Sequence, residues 1–320
     1  MDPSHAAHHG GNHATEAMAG LVLGINVLPV KGARVEPPPS HAAKELTLVI
    51  RELPKHYGDR SAYGFALQQG ASEPGDAQIS IPGPPLLLTK GELTSIKVIN
   101  HLTVETSVHW HGIELESYYD GVADWSGIDK KVAPTIPPGG LFTAWMKPPR
   151  AGTYIYHTHF HDDQLAAGLY GPLIVLEPGQ RFDPATDHVF LASLGGPPPP
   201  AEPGQPAVRA PSYLNGRTEA ETIHTQSGTV HRFRLINITP NNNGLRFSLT
   251  RNGELAQWRA IAKDGADLPP SQRVETSAVQ NVTVGETYDF EFRMDTPGEL
   301  VLTLLRPGDG SEVKTTFIVE

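Results

Sequence analysis

The chain has 320 residues, with 25 Lys and Arg against 35 Asp and Glu, a formal net charge of −10, 15 His and no Cys. An acidic balance leaves no basic surface to neutralise phosphates, which argues against a nucleic-acid partner. The missing Cys excludes disulfides, thiolate metal sites, Fe–S clusters and cysteine nucleophiles, and no apolar run reaches the roughly 18 residues of a membrane-spanning helix.

Residues 1–43 open with a His-rich tract (His5, His8, His9, His13), pass through the short apolar run Met18–Ile25 and reach Pro37-Pro38-Pro39. No Lys or Arg precedes that run, so it does not read as a secretory signal peptide. The tract reads as a His-rich tail, with a metal-scavenging loop as the alternative. Residues 44–183 then alternate: Ile96 and Val98 flank Lys97. The Pro-rich linker Gly195–Pro206 cannot donate ladder hydrogen bonds and is expected to be a surface connection. A second alternating region, 184–320, sets Phe233 and Leu235 around Arg234, with Tyr288, Phe290 and Phe292 on one face and Leu300, Leu302 and Leu304 on another. Period-2 patterns dominate and no comparably long 3.6-residue pattern occurs, so the predicted fold is all-β.

The two regions read as copies. Gly91–Ile96, Val98 and Asn100 align with Gly228–Phe233, Leu235 and Asn237 at an offset of 137. Gly139, Phe142, Ala144, Gly152 and Tyr154 align with Gly285, Tyr288, Phe290, Gly298 and Leu300 at an offset of 146. Strand–turn–strand units recurring in order predict a tandem pair of antiparallel sandwiches.

Chemistry concentrates in His109-Trp110-His111-Gly112 and His157-Thr158-His159-Phe160-His161. On a strand, alternate residues share a face about 6.6 Å apart, so neighbouring strands would converge four or five imidazoles. Imidazole-only ligation suits Cu, Zn, Fe or Ni, each pair either chelating one ion or giving one His to each of two. His161 is a fifth ligand if the strand continues; if it ends, His161 faces solvent. Trp110 points to the opposite face, as core. Asp162 and Asp163 could orient ligand imidazoles. At the corresponding offsets the second region has Arg246, Ser248, Thr303 and Leu305, so the fold does not need histidine there.

The strings Pro82-Gly83-Pro84, Val108-His109-Trp110-His111-Gly112, Pro137-Pro138-Gly139, Gly152–His159 and Gly168–Val175 together resemble a multicopper oxidase cupredoxin domain, the one that supplies half of the trinuclear copper centre in laccase-like enzymes. The resemblance covers about residues 45–180; residues 186–320 resemble the family's copper-free cupredoxin domain more weakly. It implies two tandem cupredoxin-like Greek-key β-sandwiches: a tail and linker over 1–43, a copper-binding domain over 44–183 and a copper-free domain over 184–320. By resemblance His109 would serve the type 2 copper, and His111, His157 and His159 the type 3 pair. Asp120 falls where the family places an acid near the oxygen-reduction site, although an Asp before Gly121 is also ordinary turn chemistry.

The implied function is oxidation of phenol-type donors with oxygen, in a periplasmic or secreted setting. The family's blue, type 1 copper site needs a Cys, and its cluster needs a second set of His-x-His motifs; this chain has neither. Met18–Ile25 resembles the segment that closes a blue-copper domain, so the chain reads as the C-terminal part of a longer oxidase. Its expected partners are copper ions, oxygen, phenolic substrates, and either a Cys-bearing cupredoxin partner or further copies in a homo-oligomer. The rival readings are a non-catalytic copper-binding half-site or assembly module, a cupin-like metal site using Glu116, and a zinc-dependent hydrolase.

Overall fold

The computed structural model describes residues 41–128, 130–197, 209–239 and 244–320. The His-rich tract and Met18–Ile25, like most of the Pro-rich linker, lie outside the described residues.

In the first region two four-stranded sheets form. One has β1 (Lys44–Tyr57), β2 (Arg60–Leu67), β4 (Thr94–Asn100) and β8 (Leu141–Met146), in the order β2-β1-β4-β8. The other has β3 (Leu86–Thr89), β5 (His109–His111), β9 (Gly152–His157) and β10 (Tyr170–Leu176), in the order β3-β10-β9-β5. A small hairpin, β6 (Gly127–Ile128) and β7 (Lys131–Val132), lies between β5 and β8 in sequence, and one short helix, α1 (Asp162–Ala166), links β9 to β10. Inward side chains such as Leu48, Ile50, Phe65, Ile96, Val98, Trp110, Tyr156 and Leu173 make a shared core.

The second region repeats the plan. β11 (Asp187–Leu194), β12 (Ser212–Leu214), β14 (Thr229–Asn237) and β21 (Thr287–Met294) run in the order β12-β11-β14-β21, extended by β17 (Gln257–Lys263), β18 (Ala266–Asp267) and β19 (Glu275–Ser277). The facing sheet is β13 (Glu221–Thr225), β23 (Glu312–Val319), β22 (Gly298–Leu305) and β15 (Leu245–Arg251), with β16 (Glu254–Leu255) and β20 (Val279–Val282) added. Pairing directions correspond throughout: β1 with β4 and β11 with β14 are parallel, as are β3 with β10 and β13 with β23. The all-β tandem sandwich predicted from alternation is the fold observed.

The repeat extends to single hydrogen bonds. Asn100 Nδ2 donates to the Ile136 carbonyl at 2.8 Å, and Asn237 Nδ2 to the Val282 carbonyl at 2.8 Å. Both Asn are fully buried, and each takes a backbone N–H two residues on, from Leu102 and Thr239. A buried amide left unpaired would cost about 1–3 kcal/mol, which explains why both copies need the same partners.

Arg234 alternates with Phe233 and Leu235, yet it is buried, because β9 of the first sandwich covers that face. Its guanidinium donates to both oxygens of Asp187 (2.6 and 2.7 Å) and to Thr153 Oγ1 on β9 (2.7 Å). Thr153 Oγ1 in turn donates to Asp289, which also pairs with Arg232. This charged network crosses between the sandwiches and anchors the strand that ends in His157.

Candidate metal centre

β5 is only three residues long. Trp110 points inward and is fully buried, its ring 6.4 Å from that of Tyr156. Burying an aromatic of this size is worth about 4–6 kcal/mol at 25 cal/mol/Å², which pins the strand and turns His109 and His111 to the opposite face. β5 pairs with β9 so that His109 is the register partner of His157. The rings of His109 and His157 are 5.4 Å apart, as are those of His111 and His157.

β9 stops at His157, so His159 is not on a strand as the spacing suggested. The loop nevertheless brings its ring within 5.4 Å of His109 and 6.0 Å of His157. Four of the five candidate ligands therefore share one end of the first sandwich. His109, His111 and His157 each offer a ligand atom, all within 4.8 Å of one another. His161 takes a different course: with the strand ended, it is the N-cap residue of α1. Its ring stands edge-on to Phe160 at 4.3 Å, and it lines a groove with Arg60, Glu105 and Asp163 rather than the cluster.

Hydrogen bonds assign two of the tautomers. His109 Nδ1 donates to the Asp120 carbonyl at 2.9 Å and His157 Nδ1 to the Thr158 carbonyl at 2.7 Å. A carbonyl only accepts, so both rings keep a lone pair on Nε2, the form a metal ligand requires. His111 Nδ1 lies 3.3 Å from His157 Nε2. Burial, reinforced by the neighbouring His109 and His159, pushes His111 down to about 4. Burial first, then His109 and His111, also lowers His157 well below the usual imidazole range, and burial with His109 beside it lowers His159. His111, His157 and His159 are thus neutral at neutral pH.

Asp120 ends a short 3-10 helix, Ser117–Tyr119. Its carboxylate Oδ1 lies 3.3 Å from His109 Nδ1, beside the carbonyl contact. Gly121 makes this possible: with φ +81°, a Cβ there would come within 1.8 Å of the Val108 carbonyl oxygen. The ordinary turn role and the contact with the cluster are one arrangement. Glu116, which a cupin-like site would use, caps the same turn and is not among the grouped ligand atoms.

Among the described residues the second sandwich has no such cluster, though the equivalent positions differ from those the offset indicates. Ser248 pairs with Thr303 as His109 pairs with His157. The counterparts of His109 and His111 are therefore Ser248 and Thr250, not Arg246 and Ser248, because the loop before β15 has a different length.

Fold and site together make this a cupredoxin-like tandem sandwich with a histidine cluster able to hold a metal ion. Residues 77–180 match the family described as multicopper oxidase. Copper resistance protein A of Pseudomonas syringae pv. tomato is 33% identical over 46% of this chain and 22% of its own length. Laccase-1 of Cryptococcus neoformans is 28% identical over 51% of this chain and 26% of its own. The chain therefore aligns with about a quarter of the length of these curated relatives. A blue copper oxidase from Nitrosomonas europaea superposes with a TM-score of 0.63 at 22% identity, covering 86% of this chain and 85% of that one. A multicopper oxidase from Pseudomonas thermotolerans gives 0.64 at 22%, over 88% and 65%. These two are likenesses of fold. The multicopper oxidase match therefore falls on residues 77–180, the region that carries the histidine cluster.

Proposed function

We propose that His109, His111, His157 and His159 hold copper, with His109 as the type 2 ligand and the other three serving a type 3 pair. In this reading the chain is the histidine-bearing half of a laccase-like oxidoreductase that oxidises phenol-type donors with oxygen, in a periplasmic or secreted setting. Residues 44–183 are its copper domain and 184–320 its copper-free domain. The observation that carries the reading is the convergence of three imidazole nitrogens within 4.8 Å, two of the rings held by backbone carbonyls in the ligating tautomer.

The donor set fits copper: imidazoles, no thiolate and no competing carboxylate among the grouped atoms. Bound copper would supply one-electron redox chemistry and the reduction of oxygen. The protein's own contribution is positional. β5 and β9 set ligand spacing by register, and the Asp120 and Thr158 carbonyls hold the proton on Nδ1 of His109 and His157. The Asp120 carboxylate lies beside His109. His161, at the mouth of α1, belongs to the groove beside it.

With no Cys and no second set of His-x-His motifs, the chain supplies half of a ligand shell. Ligands that are not fully preorganised lose affinity and rate. A Cys-bearing cupredoxin partner, or a further copy in an oligomer, would have to close the centre. The same absence supports a second reading, a non-catalytic copper-binding module.

Copper titration followed by electron paramagnetic resonance, with oxygen uptake on a phenolic donor, tests both. Copper bound with weak uptake that rises on adding a Cys-bearing cupredoxin domain supports the half-oxidase. Copper bound with no uptake under either condition supports the module. No copper bound, or zinc bound in strong preference, overturns the copper centre.

A further inference from the structure

Gly285 sits between β20 and β21 with φ +79°, its N–H donating to the Asn237 carbonyl at 2.8 Å. Gly139 is its counterpart in the first sandwich, with φ +71° and its N–H on the Asn100 carbonyl at 2.8 Å. Backbone and hydrogen bond are the same, but the surroundings differ. A Cβ on Gly139 would meet nothing within 4 Å, whereas one on Gly285 would lie 3.0 Å from His111 Cε1 and 3.1 Å from Nε2.

The turn that carries Gly285 is firmly fixed. Thr287 Oγ1 donates to the Thr153 carbonyl on β9 at 2.9 Å, and Glu286 is paired with Lys263 at 2.9 Å. Gly285 and His111 meet at a cleft of about 330 Å³ that Tyr154 and Thr287 also line. His109 and His157 each have Nδ1 on a backbone carbonyl. His111 has none: its Nδ1 edge faces His157 and its other edge packs on the Gly285 turn. A ligating imidazole needs something to hold the edge away from the metal, and at His111 the backbone of the second sandwich is what stands there.

We propose that Gly285 is a positioning residue for His111. The second sandwich, which has no histidine at the equivalent strand positions, sets the angle of one ligand ring through close approach of a residue without a side chain. The inference rests on reading the histidine cluster as a metal centre.

The test pairs Gly285→Asn with Gly139→Asn, since Asn tolerates the left-handed backbone best after Gly and Asn215 and Asn252 already adopt it here. Each full-length, metal-free variant is checked for folding by circular dichroism and titrated calorimetrically with a copper(II) salt alone. Gly285→Asn is expected to weaken copper binding at least tenfold, in the range seen for residues that support ligands, while Gly139→Asn stays within about twofold of wild type. Binding by Gly285→Asn that matches wild type, or equal weakening by both variants, overturns the proposal. If Gly285→Asn does not fold, Gly285→Ala against Gly139→Ala asks the same question with a single methyl group and the same two outcomes. The double substitution His109→Ala with His157→Ala separates the two levels. If copper binding survives it, the metal lies elsewhere and the centre itself is misassigned. If binding is lost there yet untouched by Gly285→Asn, only the role of Gly285 fails.

Discussion

His109 and His157 are register partners on neighbouring antiparallel strands, their rings 5.4 Å apart, and each donates Nδ1–H to a nearby backbone carbonyl. The two Nε2 lone pairs are therefore set by main-chain geometry, before any ion arrives, and belong to a structure that the second sandwich braces from the side.

Metal that binds the folded state alone stabilises it by mass action, about 2.7 kcal/mol at a hundredfold excess over the dissociation constant. Copper is expected to raise the melting temperature of the wild type. His109→Ala with His157→Ala should remove that shift and leave the metal-free protein folded. A persistent shift in the double variant, measured by scanning calorimetry, would place the metal elsewhere, with His5, His8, His9 and His13 the first candidates.

Asp120 touches His109 with both its carbonyl and its carboxylate. Asp120→Ala deletes only the second contact, so copper affinity should fall about tenfold, the low end for such supporting groups. An affinity equal to wild type in the same titration would reduce Asp120 to a turn residue.

Arg234 holds buried Asp187 through two hydrogen bonds. Arg234→Met strands that carboxylate without its partner, and loss of one member of a buried pair costs about 3–5 kcal/mol. Urea unfolding should show a lower midpoint of that order. A loss below about 1 kcal/mol would mean the network is replaceable by packing alone.

Metal-free stability should depend on pH through buried imidazoles. Nε2 of His188 and Nδ1 of His231 are 2.8 Å apart. Burial, with His231 beside it, pushes His188 from 6.5 down to about 4, and burial lowers His231 as well. Between those values the unfolded chain binds protons that the folded one excludes, so stability rises with pH across the window. It is full above about 6.5 and lost progressively towards about 4. Denaturant titrations at pH 7 and pH 5 should give the lower stability at pH 5; equal values would contradict the burial of these rings. His111, lowered to about 4 as well, adds to the same slope in the metal-free protein.

Without Cys, the copper-loaded chain alone should lack the intense absorption of a copper–thiolate bond. Its visible spectrum checks this directly. A blue colour in the pure protein would require a thiolate from a second molecule.

Much of the fold was legible because strand alternation and turn residues are local. Gly91 and Gly228, or Asn100 and Asn237, repeat because the same backbone problem is solved twice by the same side chain. The cluster was legible for a related reason: His109 and His111 share a face by simple period, and β5 meets β9. Local spacing fails where a strand ends. Nothing in His157-Thr158-His159-Phe160-His161 marks the end of β9 at His157, yet that end keeps His159 near the cluster and sends His161 to α1.

By itself the sequence determined an all-β tandem repeat, a histidine-only ligand set and the impossibility of a thiolate copper site in this chain, since each follows from residue type and short-range periodicity. Tertiary structure decided what covers each face. Arg234 reads as the polar side of an alternating strand, but β9 buries it, and Gly285 reads as a turn glycine like Gly139, but only Gly285 has an imidazole against it. Both outcomes come from the packing of one sandwich on the other. Periodicity says which way a side chain points; only the packed chain says what it meets there.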